Sequence, residues 1–197
     1  MTTYSDLQID ALRELANIGS GTAATALSGM LGRPVEITVP NPLLLPLNDA
    51  VDAVGPGDSE VAGVAIGIDG DLEATVLMLS TPKTEETLCQ LLGVEPGTEM
   101  AVSALQEIGN VLGASYTGAL SMMTGLDLEP SPPLAAHDML AAIVASVLLA
   151  PGEDRDAVLL LDSDLRVEGV DSECAPSFLF IPSSGGVTEL LARLGLA

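Results

Sequence analysis

A pattern of four residues occurs twice in this chain, 93 positions apart: Asp10, Glu14, Asn17 and Pro40, then Ser103, Glu107, Asn110 and Pro133. The stretches 14–40 and 107–133 align without a gap, and Ala26 with Ala119, Leu27 with Leu120, Ser28 with Ser121, Gly32 with Gly125 and Glu36 with Glu129 coincide as well. A period near half of the 197 residues points to a duplicated half-domain rather than a solenoid of short units. The expectation is one domain over 1–197, made of half-repeats 5–92 and 98–194 with a seam at Gly93 to Gly97.

At 100° per residue, offsets of four and seven return to nearly the same side of a helix, so Asp10, Glu14 and Asn17 stack in one line. The first helix is expected over Asp10 to Leu27 with Ser5 or Asp6 as its cap, and Leu7, Leu12, Leu15, Ala23 and Leu27 on the apolar arc or its margins. Gly21 and Ala24 continue the polar line as small residues that let another protein approach the backbone. A second helix, Glu99 to Met123 capped by Thr98, repeats this design. Ser103, Gln106, Glu107, Asn110, Ala114 and Thr117 lie opposite Leu105, Ile108, Leu112 and Leu120, with Ala114 and Thr117 as the counterparts of Gly21 and Ala24.

Between and after these helices, Val35 to Val39 alternates as a strand that Pro40 closes, and Asn48 to Val54 fits a short helix. Val61 to Ile68 and Ala74 to Leu79 suggest a hairpin with an Asp-Gly turn, and Thr84 to Leu92 a short helix. Leu126 to Glu129 reads as extended, and Asp138 as the cap of a helix running to Leu149. Strands are expected at Ala157 to Leu161, Leu165 to Val170 and Phe178 to Ile181, with a final helix over Gly186 to Leu194. One half alone would expose sheet edges and an apolar face. Two halves sharing one antiparallel sheet, packed with helices and related by a pseudo-two-fold, give an α+β fold with two long exposed helices carrying the polar lines.

The charge narrows the partners. Twenty-eight acidic residues face six basic ones, Lys83 being the only lysine, for a net charge of −22. Such a surface repels phosphate backbones and anionic lipid, which argues against nucleic acid and membrane. Two Tyr, two Phe and no Trp leave a core of aliphatic residues and offer no platform for stacking bases. Cys89 and Cys174 lie far apart, and neither they nor the lone His137 shows metal-ligand spacing, so no metal site is expected. No basic region followed by an apolar run opens the chain, and the longest apolar run, Met139 to Ala150, is shorter than the ~20 residues a bilayer requires; a cytoplasmic protein is the expectation. There is no Ser/His/Asp or Cys/His arrangement. Gly19-Ser20-Gly21 lacks the preceding strand and third glycine of a dinucleotide loop. Any catalysis must then use water on a group already activated.

The doubled pattern Asp/Ser-x3-Glu-x2-Asn-x22-Pro, with its continuations NIGSGTAATALS and NVLGASYTGALS, resembles the signature of CheC-type phosphatases of the chemotaxis system, a family that includes CheX and FliY. The likeness covers nearly the whole chain. CheX-like proteins retain one such site per chain, and FliY-like proteins carry a further motor-switch domain for which no room follows Ala197; the intact pair favours the CheC type.

The resemblance implies a protein phosphatase that accelerates hydrolysis of the aspartyl phosphate on phosphorylated CheY, a response regulator of two-component signalling. By that likeness Asn17 and Asn110 orient the attacking water, and Glu14 and Glu107 pair with a lysine of the regulator. Asp10 and Ser103 support the motif, and Pro40 and Pro133 shape the chain after a strand. No cofactor is expected in this chain, the Mg²⁺ belonging to the bound regulator. The resemblance also implies a second partner, the receptor deamidase CheD, and with it an alternative: an adaptor to CheD or to a motor component, with weak or no catalysis.

The acidity generates its own prediction. If it is an adaptation to high salt, where the Debye length falls to about 3 Å at 1 M, the melting temperature rises from low to molar KCl. A flat response would remove that explanation.

Overall fold

The structure is a computed structural model that describes residues 4–38, 43–148, 157–162, 164–170 and 176–197. Along the first half run α1 (Asp6–Leu31), β1 (Val35–Thr38), β2 (Leu43–Pro46), α2 (Leu47–Val54), β3 (Glu60–Gly70), β4 (Ala74–Ser80) and α3 (Pro82–Leu92). The second half contains α4 (Glu99–Thr124), β5 (Leu128–Pro130), β6 (Leu134–Met139), α5 (Leu140–Leu148), β7 (Ala157–Asp162), β8 (Asp164–Val167), β9 (Ser177–Pro182) and α6 (Gly186–Arg193).

The duplicated sequence sets the ends of the two long helices at matching positions. Ser5 caps α1 through a reciprocal box with Gln8: the Gln8 amide N–H donates to Ser5 Oγ at 3.3 Å, and the Ser5 N–H donates to Gln8 Oε1 at 2.9 Å. Its counterpart Thr98 accepts from the Ala101 N–H at 3.2 Å. Both helices stop where Gly32 and Gly125 take φ of 63° and 71°, a left-handed cap that other residues adopt only with strain.

Among the described residues every strand pairing is antiparallel. The larger sheet runs β2-β7-β9-β4-β3-β5, with β6 also on β3. Its symmetry appears in the register. β4 and β9 pair at the centre, Met78 opposite Phe178, and each is flanked by a strand that in turn carries an edge strand. On one side Ala62 faces His137; on the other Leu159 faces Leu44, so the edge positions 44 and 137 keep the repeat spacing. β3, over 11 residues, pairs with β6 and, at its end, with β5; in the other half β7 pairs with β2 and β8 with β1, Val35 opposite Val167, on either side of residues outside the described ones.

Helices cover both faces of the larger sheet. Leu12, Leu15 and Leu27 of α1, Leu105, Ile108, Leu112 and Leu120 of α4, Leu88 of α3 and Leu190 of α6 pack with Val76 and Met78 of β4 and Phe178 and Phe180 of β9. Ala50 of α2 and Leu140, Ile143 and Val144 of α5 cover the opposite face, meeting Leu77, Leu79, Leu179 and Ile181. Successive residues of β4 thus serve two cores, as the alternation of a strand requires. This double burial is why its sequence is almost continuously apolar.

Several expectations change. Leu7 is exposed, not part of the apolar arc. Asp138 lies in β6 and accepts the Met139 N–H at 2.7 Å, while the helix begins after it at Leu140. The β3–β4 connection is longer than an Asp-Gly turn, since pairing ends at Ile68–Ala74 and Gly70 pairs instead with Leu128. Val39, Pro40, Cys174 and the 154–156 turn lie outside the described residues.

The tightest helix contact yields a prediction. A Cβ on Gly19 would sit 2.4 Å from Tyr116 Cδ1, whereas one on Gly29 would meet nothing within 4 Å. Gly19→Ala should destabilise by about 1–3 kcal/mol through overpacking, while Gly29→Ala in the same helix should stabilise by about 0.5–1 kcal/mol. Urea denaturation of both variants measures the difference.

Candidate functional site

α1 rises out of the core on one line of side chains. Leu12, Leu15, Ala16, Gly19 and Ala23 are buried, while Asp10, Glu14, Asn17 and Gly21 are exposed and Ala24 is half-buried. α4 does the same. Ser103, Glu107 and Ala114 are exposed and Asn110 is half-buried, above buried Leu105, Ile108, Gly109 and Leu112. Thr117 departs from the expected line: it is 2% exposed, and its hydroxyl donates to the Gly113 carbonyl at 2.8 Å within the helix. It is not a surface for partner approach. Gly21 remains open, since a Cβ there would meet nothing within 4 Å.

The side chains differ in what holds them. The Arg13 guanidinium pairs with Asp10 on the surface, and the Ser103 hydroxyl donates to the Glu99 carbonyl at 3.0 Å. Both flanking residues are therefore engaged locally. Among the described residues, Glu14, Asn17, Glu107 and Asn110 make no side-chain hydrogen bond or ion pair within the chain. An ionised carboxylate accepts and an amide both donates and accepts, so each line offers one anion and one two-way polar group to something outside.

Pro133 sits beside the second line. Its carbonyl accepts from Gln106 Nε2 at 3.1 Å, and the preceding loop is pinned to β3, with the Gly67 N–H donating to Ser131 Oγ at 2.9 Å and the Ser131 N–H to the Gly67 carbonyl at 2.8 Å. The second Pro of the motif is thus tied to the helix beside Glu107. Sequence spacing did not single out Gln106 for this. Its counterpart is Arg13, whose charge is directed to Asp10 instead.

The described clefts lie away from these lines. One of about 450 Å³ is lined by Glu60, Ala62, Pro82, Glu85, His137 and Met139, with His137 Nε2 3.1 Å from Glu85. Cys89 is buried in α3, and desolvation, with Glu85 nearby, pushes its thiol up, which leaves it a poor nucleophile. Among the described residues no group of three His, Cys, Asp or Glu could hold a metal ion, and no helix is long and apolar enough to cross a membrane. An exposed line on a convex helix cannot enclose a small molecule. It can enter a concave site on another macromolecule.

The family model described as the CheC-like family matches residues 7–42 and 100–135, the two copies of the pattern. The CheY-P phosphatase CheC of Bacillus subtilis is 30% identical over 196 residues, covering 95% of this chain and 94% of the relative. Thermotoga maritima FliY superposes with a TM-score of 0.77 at 22% identity, over 98% of both chains. A chain of the CheX–CheY complex with BeF3 and Mg²⁺ from Borrelia burgdorferi gives a TM-score of 0.51 at 16% identity, over 89% of this chain and 98% of that one.

Exposed residues without internal partners contribute little to folding. Glu14→Ala, Asn17→Ala and Glu107→Ala should each change stability by less than about 0.5 kcal/mol in urea titrations. A loss of several kcal/mol would mean that these side chains hold the fold.

Proposed function

This chain belongs to the CheC-like family, and from that premise we propose that it dephosphorylates phosphorylated CheY, using Glu14 with Asn17 and Glu107 with Asn110 as two separate sites. The observation that carries the reading is the pair of duplicated helix lines, each with a carboxylate and an amide free of internal partners. Hydrolysis of an acyl phosphate already bound by its own regulator needs no nucleophile from this chain. It needs a water held in line with the phosphorus and relief of the accumulating charge. An amide side chain can accept from that water while donating to a phosphoryl oxygen. The carboxylate, about 4.5 Å earlier along the helix axis, pairs with a cation on the regulator and fixes the approach; the Mg²⁺ is the regulator's own.

The roles divide by position. Asn17 and Asn110 touch the reacting water. Glu14 and Glu107, one helical turn earlier, anchor the partner. Gly21, Ala24 and Ala114 keep the following turns low enough for the regulator's loops to pass. Asp10 pairs with Arg13 on the same helix. The alternative is an adaptor that binds the deamidase CheD or a motor component and hydrolyses nothing. Its binding would not depend on the two amides.

Phosphate release from phosphorylated CheY separates the readings. Wild-type protein should accelerate it, Asn17→Ala and Asn110→Ala should each leave one working site, and the double variant should lose roughly 10²-fold or more, the scale of a misplaced reactant. Wild-type protein that gives no acceleration, while binding CheD undiminished in the double variant, would establish the adaptor.

A further inference from the structure

Six large hydrophobic side chains are exposed among the described residues, and two of them occupy the same place in the two halves. Leu7 is 65% exposed on α1 and Met100 is 68% exposed on α4, 93 positions apart. Each is the second residue after the helix cap, so neither is in the position before the cap where a hydrophobic staple would fold back. Each also starts the polar line: Leu7, Asp10, Glu14 and Asn17 in one helix, Met100, Ser103, Glu107 and Asn110 in the other, spaced by three, four and three residues. These offsets keep all four on one side of the helix.

A single exposed Leu or Met needs no explanation. Here two of different shape stand at one position of a duplicated site while the residue three positions on varies between Asp and Ser, so what both copies share is a long apolar side chain held in water. A glutamate or glutamine would form helix there equally well.

We propose that Leu7 and Met100 are apolar docking anchors, each seating on an apolar spot of the activated response regulator while the Glu and Asn farther along the same helix engage its active site. The inference rests on the phosphatase reading above. With a rise of 1.5 Å per residue, the anchor lies about 10 Å along the axis from the Glu and about 15 Å from the Asn, which defines where the regulator's apolar spot must be relative to its cation and its phosphoaspartate. Continuity with the Glu–Asn line selects the regulator as occupant. The net charge of −22 opposes both an anionic membrane and a second copy of this chain at the same surface. Because the anchors contact the regulator before and during reaction alike, they set affinity and leave the chemical step unchanged.

The test measures Kd for Mg²⁺-loaded, beryllofluoride-activated CheY of the same organism, alongside KM and kcat for phosphorylated CheY. Leu7→Ser/Met100→Ser should raise Kd and KM about tenfold, equivalent to about 1.4 kcal/mol, with kcat unchanged, the signature of lost uniform binding. Leu7→Met/Met100→Leu, which swaps the two anchors, should keep wild-type affinity. Met122→Ser, at the far end of α4 and 69% exposed, should change nothing. Unaltered Kd and KM in the double serine variant, with phosphatase activity intact, would overturn the anchors and leave the phosphatase standing. Wild-type protein that neither binds nor dephosphorylates CheY would overturn both.

Discussion

The fold depends on how closely α1 and α4 meet. The Tyr116 ring of α4 lies over the bare backbone of Gly19, and its hydroxyl is 2.7 Å from Ser20 Oγ in a buried hydrogen bond. The same ring packs 6.2 Å from Phe178 at the sheet centre. Two turns and one turn before Tyr116 on the same side, α4 presses Gly109 and Gly113 onto Val64 and Ile66 of β3, where any Cβ would come within about 3 Å. Duplication alone cannot build this crossing, because related helices would set like residues against like. The repeat counterparts of Gly19, Ser20 and Tyr116 are Leu112, Gly113 and Ala23. One copy became small where the other became large, and a buried pair of hydroxyls fills the place where an unpaired one would cost about 1–3 kcal/mol.

That crossing also determines what is left outside. With one face of each helix committed to the partner helix and the sheet, the remaining line is fixed in direction and stands on a rigid element, which suits positioning better than a loop would. The polar line and the core are thus two consequences of one period. Each helix is 26 residues long, capped at both ends, and so presents its Glu and Asn from the middle turns rather than from a fraying end.

Much of this was legible in the sequence because the signals were local and repeated. The cap residues, the helix terminators at Gly32 and Gly125 and the 3.6-residue period gave both helices, and the doubled spacing gave the Glu and Asn together. What escaped depended on tertiary context. Leu7 is expected on the apolar arc or its margins, although its azimuth is nearer to Glu14 than to Leu12. Thr117 falls on the polar line as the repeat counterpart of Ala24, but a threonine that donates to the carbonyl four residues back carries its polar group into the core already satisfied. Asp138 before an apolar run imitates a helix cap, yet β3 recruits residues 134–139 as an edge strand first.

The charge and the apolar anchors fit one account of association. A net charge of −22 creates a field that opposes a regulator whose phosphorylation pocket is itself acidic, and that opposition reaches about one Debye length, roughly 8 Å at physiological ionic strength and 3 Å at 1 M. The proposed attraction between Glu14 or Glu107 and a cation on the regulator would be screened by the same ions. Salt therefore weakens the repulsion over the whole surface and the few favourable pairs together. Burial of Leu7 and Met100 is not screened, and it grows stronger with salts that are excluded from apolar surface. In an acidic chain working at high ionic strength, the term that holds the partner would pass from charge to apolar contact, leaving the carboxylate to set orientation and the amide to place the water.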